Sequence, residues 1–227
     1  MTALVPEKGP IPADVLEKMV GHLRDPTHAG VLREWAEDVE TWAIHDGDLH
    51  LDGPLDAATY SVLFVLGDLH VGGLFQDSDD PETLVCVTGS LRAENLITSG
   101  WLEVQGDLAV SGAIIGDYND CSAHVFGVMS ARFFFPEEHH FEVGALDVTC
   151  AVGSHHRLGL EGAEAHFVSN SHGITPIARE AELRAVLRGE YLMSEEDVVY
   201  VFEGGKDHGD LMDALRAGEP VLVPVEE

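Results

Sequence analysis

The chain has 227 residues, and 45% of them are apolar, which is enough to bury a hydrophobic core. Its 41 Asp and Glu residues outnumber the 12 Lys and Arg residues, and the resulting formal charge of −29 argues against direct binding to nucleic acid or to anionic membranes. The same charge favours a basic protein partner, although a generally acidic, salt-adapted proteome would explain it equally well.

The cysteines and the N-terminus indicate a cytoplasmic protein. The three cysteines, Cys86, Cys121 and Cys150, form no CxxC pair and leave an odd residue, so no disulfide framework is expected. The N-terminus lacks the pattern of a signal peptide, and no window of eighteen consecutive apolar residues occurs.

Two amphipathic helices are predicted at the start of the chain. Residues 12–23 and 26–43 each place apolar side chains on one helical face, and both segments begin at a proline. We expect residues 1–45 to form a helical cap that closes one end of the domain that follows.

A repeated G-[DS]-L motif dominates residues 46–170. Apolar residues alternate with other residues before and after most of the glycines, which is typical of two short strands joined by a turn. Glycine suits such a turn because it has no Cβ atom. The repeats begin at Gly47, Gly67, Gly89, Gly106, Gly127 and Gly144.

This repeat predicts a mainly β fold, a right-handed β-helix (β-solenoid) of about six to seven rungs. An antiparallel sandwich with regularly spaced hairpins is the alternative. In the solenoid, the apolar residue of each motif points inward and stacks on its equivalent in the next rung. These inward residues are Leu49, Leu69, Leu91, Leu108, Met129 and Leu146.

The last part of the chain, residues 171–227, is predicted to be a small α/β appendage packed on the solenoid. Helices are expected over residues 175–189 and 207–217, each ending at a glycine, with a strand at residues 198–202 between them.

The pattern V-x-V-x-G-D-L-x-V-x-G over residues 64–115 resembles the bactofilin-type, polymer-forming β-solenoids. The resemblance implies a right-handed β-helix and self-assembly. The irregular repeat length and the helices at both ends differ from that family, in which bare rods carry disordered tails. In composition the chain also resembles polymorphic-toxin immunity proteins.

Histidine is the first candidate for site chemistry, because 13 histidines occur and several of them fall near the repeat spacing. Imidazoles stacked on one edge of the coil would bind a divalent transition metal or respond to pH. Polar residues tolerated in turns are the alternative interpretation. The candidate metal ligands are His124, His139, His140, His155, His156 and His172.

Acidic residues are the second candidate. Residues 46–167 contain 20 Asp and Glu residues but only three arginines, so the repeats present either a solvated acidic face or a surface for a basic protein. Aromatic side chains would anchor such a partner. The candidate binding residues are Asp77, Asp79, Asp80, Glu82, Asp117, Tyr118, Asp120, Glu137 and Glu138.

The sequence contains no nucleophile elbow, P-loop or dinucleotide fingerprint, which favours a non-enzymatic protein. We predict an acidic binding protein, monomeric or a small homo-oligomer and without a required cofactor. The specific hypothesis is an immunity protein that neutralises a basic toxin, such as a nuclease, by direct binding. A bactofilin-like self-assembling scaffold and a metal-dependent enzyme that uses the histidines are the alternatives.

Overall fold

The computed structural model describes residues 4–117, 120–136, 139–153, 158–160, 175–176, 180–195, 198–201 and 208–225. Its first elements are strand β1 (Glu7–Lys8) and helices α1 (Ala13–His22) and α2 (Pro26–Trp35). Helix α2 begins where the Asp25 carboxylate accepts hydrogen bonds from the amides of Thr27 (2.7 Å) and His28 (3.0 Å). No helix in these ranges is long and apolar enough to cross a membrane.

Helix α2 is shorter than the sequence predicts. It ends at Trp35, and the predicted helical residues 41–43 belong to the first strand of the coil, β2 (Thr41–Asp46). The apolar spacing of this segment fits a helix, but it also fits a strand with a period of two. Trp42 packs outside the coil while Ala43 is buried inside it, and this burial on both faces favours the strand.

A parallel β-solenoid of about five turns follows, as predicted from the repeat. In chain order its further strands are β3 (Leu49–Leu51), β4 (Leu55–Asp56), β5 (Val62–Leu66), β6 (Leu69–Val71), β7 (Leu74–Gln76), β8 (Leu84–Val87), β9 (Leu91–Ala93), β10 (Asn95–Thr98), β11 (Trp101–Val104), β12 (Leu108–Val110), β13 (Ala113–Gly116), β14 (Ser122–Phe135), β15 (His140–Gly153) and β16 (Leu158–Leu160).

The strands pair in parallel on three sides of the coil. The first sheet contains β2, β5, β8 and β11; the second contains β3, β6, β9 and β12; the third contains β4, β7, β10 and β13. The long strands β14 and β15 run through all three sheets, and β16 extends the first. Parallel pairing throughout the coil excludes the antiparallel sandwich.

The predicted ladder of inward residues is confirmed. The register pairs each of them with its equivalent in the next turn, from Leu49 to Leu146. Leu69, Leu91, Leu108 and Met129 have no solvent exposure, and Leu146 is partly buried at the far end. This column is the centre of the main hydrophobic core.

The glycine of the motif and the Asp or Ser that follows it hold successive turns of the coil together. A Cβ atom on Gly67 would lie 2.5 Å from the carbonyl carbon of Gly47, so each glycine lets one turn lie directly on the turn before it. The side-chain oxygen of the residue after the glycine accepts a hydrogen bond from a backbone N–H of the next turn. These bonds join Asp48 to Asp68 (2.9 Å), Asp68 to Ser90 (2.8 Å), Ser90 to Asp107 (3.1 Å) and Asp107 to Val128 (2.9 Å).

Helices α1 and α2 lie along the outer face of the first sheet, whereas the sequence analysis expected them to close an end of the coil. Met19 of α1 and Leu32 of α2 pack against outward side chains such as Phe64 and Cys86. The first sheet is therefore buried on both faces, which explains its nearly continuous apolar strands.

The C-terminal part covers the outer face of the third sheet. Its elements are β17 (Thr175–Pro176), α3 (Glu180–Val186), β18 (Leu192–Glu195), β19 (Val198–Val201) and α4 (His208–Arg216). Leu183 and Leu211 of the two helices pack against outward residues of the third sheet such as Ile115. The second sheet keeps an exposed outer face that carries His50 and His70.

Candidate functional site

The residues predicted as a binding surface are spread over several environments. Asp79, Asp80 and Glu82 form one acidic turn between β7 and β8, in which Asp80 and Glu82 are exposed. Asp117 is half-buried and Asp120 is exposed near the end of β13. Tyr118, Glu137 and Glu138 lie outside the described residues.

Asp77 is not a surface residue, contrary to the sequence prediction. Its side chain is buried at the end of β7 and accepts hydrogen bonds from the Thr98 hydroxyl (2.8 Å) and from the amides of Ser99 (2.7 Å) and Gly100 (2.8 Å). Burial raises the pKa of Asp77 from 3.8 to about 6, and the three hydrogen bonds only partly offset this effect. The residue therefore closes a turn of the coil and is not available to a partner.

The raised pKa of Asp77 predicts a pH-dependent stability. Its folded-state pKa exceeds the unfolded value, so the folded state binds more protons between about pH 4 and pH 6, and stability falls as pH rises through that window. A difference of about two pH units corresponds to about 3 kcal/mol. We expect Asp77→Asn, which keeps an acceptor for both amides, to gain about 2 kcal/mol of stability relative to wild type between pH 4.5 and pH 7.5, because about a third of the full change lies below pH 4.5.

Urea denaturation of both proteins at the two pH values measures how the difference in free energy of unfolding between them changes with pH. The contributions of other titrating groups are common to both proteins and cancel. Parallel pH profiles of the two proteins would show that Asp77 does not titrate as described.

Among the predicted histidines, His124 is brought close to other titratable groups. It lies on β14, is 8% exposed, and its ring centroid is 6.4 Å from that of His140 on β15. His139 is fully buried beside Phe141. His155, His156 and His172 lie outside the described residues.

A buried carboxylate that the sequence analysis did not single out lies next to His124. Glu103 on β11 has no solvent exposure and pairs in register with His124. Its carboxylate accepts hydrogen bonds from the amides of Arg24 (2.8 Å) and Asp25 (3.1 Å) and from the Gln105 side chain (2.8 Å). Burial alone would raise its pKa, but these donors together with the His28 side chain hold the pKa of Glu103 below its usual value. Glu103 is therefore a buried carboxylate whose acceptor oxygens are used by several donors.

His28 connects helix α2 to this carboxylate. The imidazole is fully buried, with Nδ1 3.3 Å from Glu103 Oε2 and Nε2 3.3 Å from the hydroxyl of Ser122. Its ring centroid is 4.7 Å from that of His124 and 5.6 Å from that of Trp101. The side chains of Glu103, His28 and Ser122 thus lie in a row beneath helix α2.

Asp25 and Glu142 complete the arrangement around His124. Asp25 Oδ2 is 3.0 Å from His124 Nδ1, and Glu142 Oε2 is 3.7 Å from the same nitrogen. Burial, followed by the neighbouring His28, lowers the pKa of His124, although both carboxylates act in the opposite direction. We call these five residues, Asp25, His28, Glu103, His124 and Glu142, the histidine–carboxylate cluster.

The cluster borders a small cavity. The cavity has a volume of about 30 Å³ and is lined by His124, Glu142 and their neighbours on β14 and β15. This is room for an ion or a water molecule. Of the cluster, His124 and Glu142 line this space, and an imidazole beside a carboxylate is suited to holding a cation or a proton.

A larger concavity lies near the start of the coil, where helix α2 leads into β2. It has a volume of about 590 Å³, and no lysine or arginine occurs among the described residues that line it. Trp35 lies in this acidic groove, and the acidic turn before β8 contributes Glu82. Its carboxylates belong to Glu34, Asp38, Glu40 and Glu82.

No protein-family model, no curated protein and no solved structure matches this chain. The fold alone defines its class, which is a β-solenoid repeat protein. The comparisons therefore provide no related protein that supports the resemblance to bactofilins or to immunity proteins.

Proposed function

We propose that the chain is a non-enzymatic binding protein that holds a basic protein partner in the acidic groove. The observation that carries the proposal is the set of four carboxylates around Trp35 in one concavity, without a lysine or arginine among the described lining residues. A groove of about 590 Å³ has room for several side chains of a partner.

Charge and aromatic surface would act together at this groove. The net charge of −29 steers a basic partner toward the chain, and the local carboxylates select the orientation in which it docks. The half-buried indole of Trp35 offers a rigid apolar anchor between them, of the kind that dominates binding energy at interfaces.

The more specific form of the proposal is an immunity protein that neutralises a basic toxin such as a nuclease in the cytoplasm. It is supported by the strongly acidic composition and by the groove, which would receive a basic loop from the toxin. We also propose that the coil is right-handed and has about six to seven rungs. Its handedness is supported by the strong preference for right-handed crossovers between parallel strands.

Charge reversal in the groove tests the proposal. We expect Glu34→Lys combined with Asp38→Lys to weaken the captured partner's binding by about 10- to 100-fold, because both new cations face a basic surface. The matched control is Asp52→Lys with Asp147→Lys, two exposed residues outside the groove lining that change the net charge by the same amount. The dissociation constants of all three proteins are measured at low and high salt with the partner captured from native lysate.

Equal weakening by both double variants would show that the total charge matters and not the groove. If the captured partner is a nuclease, inhibition of its activity should follow the same order. Sedimentation at high protein concentration distinguishes the scaffold alternative, since extended assemblies formed by the chain alone would favour it over a binding protein.

A further inference from the structure

We propose that the histidine–carboxylate cluster binds one divalent transition metal ion such as Zn²⁺, through Asp25, His28 and His124. The fourth position of the ion is left to a water molecule. The ion fastens helix α2 to the outer face of the first sheet. This site is separate from the acidic groove, and its test does not depend on the proposed partner.

The ligand atoms already lie close together. One ring nitrogen of each histidine and one oxygen of Asp25 are within 4.8 Å of one another, and His124, His140 and Glu142 form a second group with the same property. His124 belongs to both groups, so it would be the central ligand. The chain positions of these residues are far apart, and only the packing of α2 on β14 brings them together.

The distances suit a tetrahedral ion. Zn²⁺ lies about 2.0–2.1 Å from its nitrogen and oxygen ligands, which places neighbouring ligand atoms about 3.3 Å apart. In the structure, His124 Nδ1 is 3.0 Å from Asp25 Oδ2, and a ring nitrogen of His28 lies within 4.8 Å of the ligand atoms of both residues. A shift of a few tenths of an ångström would bring Asp25 to the required spacing, and a rotation of the His28 ring would bring its nitrogen closer to the ion.

Glu103 supplies the second feature of a metal site. Its carboxylate lies 3.3 Å from Nδ1 of His28, an arrangement that orients metal-binding histidines, and Nε2 would exchange its present contact with the Ser122 hydroxyl (3.3 Å) for the ion. His28 Nδ1 has no hydrogen-bond partner of good geometry among the described residues, so the fully buried ring is not yet fixed by that contact. A cation bound at Nε2 would strengthen the pairing of Nδ1–H with Glu103.

The electrostatic balance also favours a cation. Three carboxylates, those of Asp25, Glu103 and Glu142, surround the two buried imidazoles. Oxygen and imidazole ligands together suit Zn²⁺ and related divalent ions. Glu142 is half exposed, which gives an ion a route into the cluster.

Zn²⁺ titration of untagged protein, after treatment with a chelator, tests the proposal. We expect calorimetry to show one Zn²⁺ per chain, and the melting temperature to rise with Zn²⁺ and fall again with chelator. His124→Asn and Asp25→Asn should each weaken binding by at least about tenfold. Asparagine is itself a good N-cap, so Asp25→Asn preserves the start of α2 and separates loss of a ligand from loss of the fold.

The matched control is His70→Asn. His70 and His50 are neighbouring imidazoles 5.5 Å apart on the exposed second sheet, so they test whether any pair of stacked histidines suffices. We expect this variant to bind Zn²⁺ like wild type. Absence of stoichiometric binding by wild type, or equal binding by Asp25→Asn and wild type, would overturn the proposal.

Discussion

Replacing Glu103 by alanine is expected to lower the free energy of unfolding by about 3–5 kcal/mol. The carboxylate is fully buried and accepts hydrogen bonds from the amides of Arg24 and Asp25 and from Gln105. Truncation leaves the two amides without this acceptor and removes the carboxylate beside His28, whereas Gln105 still donates to the carbonyl of His22. Urea denaturation in the presence of chelator measures the effect on the metal-free protein.

Cys86→Ala is the matched control for this prediction. Cys86 is fully buried in the same outward column, directly beside Glu103 in the register of the first sheet, and its contacts with the described residues are packing contacts. We expect a loss of only about 1 kcal/mol, the value of a small buried apolar group. A Glu103→Ala loss as small as that of Cys86→Ala would mean that the buried network does not hold α2 to the sheet.

Gly67→Ala is expected to destabilise the coil by about 3 kcal/mol or more. The added Cβ would lie 2.5 Å from the Gly47 carbonyl carbon, 2.6 Å from its oxygen and 2.7 Å from the Asp48 nitrogen. All three atoms belong to the backbone, so the two turns must separate before the methyl group fits. That separation would also lengthen the hydrogen bond from the Asp68 amide to Asp48.

The control is Gly53→Ala, in a turn near the start of the coil. A Cβ at Gly53 would meet nothing within 4 Å, and its φ lies outside the left-handed region. We expect its free energy of unfolding to stay within about 0.5 kcal/mol of wild type. Equal losses in both variants, measured by urea denaturation, would contradict the stacking account of the repeated glycine.

The sequence was sufficient to predict the coil because its determinants are local and repeated. A period-two apolar pattern, a glycine and an Asp or Ser recur at each turn, so the inward ladder from Leu49 to Leu146 can be aligned by eye. The apolar residues near Trp42 fit both helical and strand spacing, so the sequence alone predicts a helix that is longer than α2.

The histidine–carboxylate cluster could not be predicted because its members meet only through tertiary packing. Asp25 and His28 precede His124 by about one hundred positions, and the sequence does not state which sheet face α2 covers. One local signal was present: Glu103 is a charged residue in the otherwise apolar strand β11, at the position that Cys86 occupies in the neighbouring strand. A charge at such a position indicates a partner from outside the sheet.

The acidity of the repeats has more than one physical origin. Asp48, Asp68 and Asp107 bind the amides of successive turns, and Asp77 closes a turn from inside. These carboxylates contribute to the structure of the coil as well as to its charge. Of the carboxylates gathered around Trp35, Glu82 accepts a hydrogen bond from the Trp101 indole (3.4 Å), but within the described residues none of the four joins successive turns through an amide, which is why the acidic groove is the better candidate for a binding surface.

Amide hydrogen exchange of the chain, alone and with its captured basic partner, tests the binding proposal most directly. The account predicts slower exchange on complex formation in the segments that line the acidic groove, residues 34–41, 58–61 and 81–82. Slower exchange confined to the exposed second sheet, with no change in the groove segments, would contradict it.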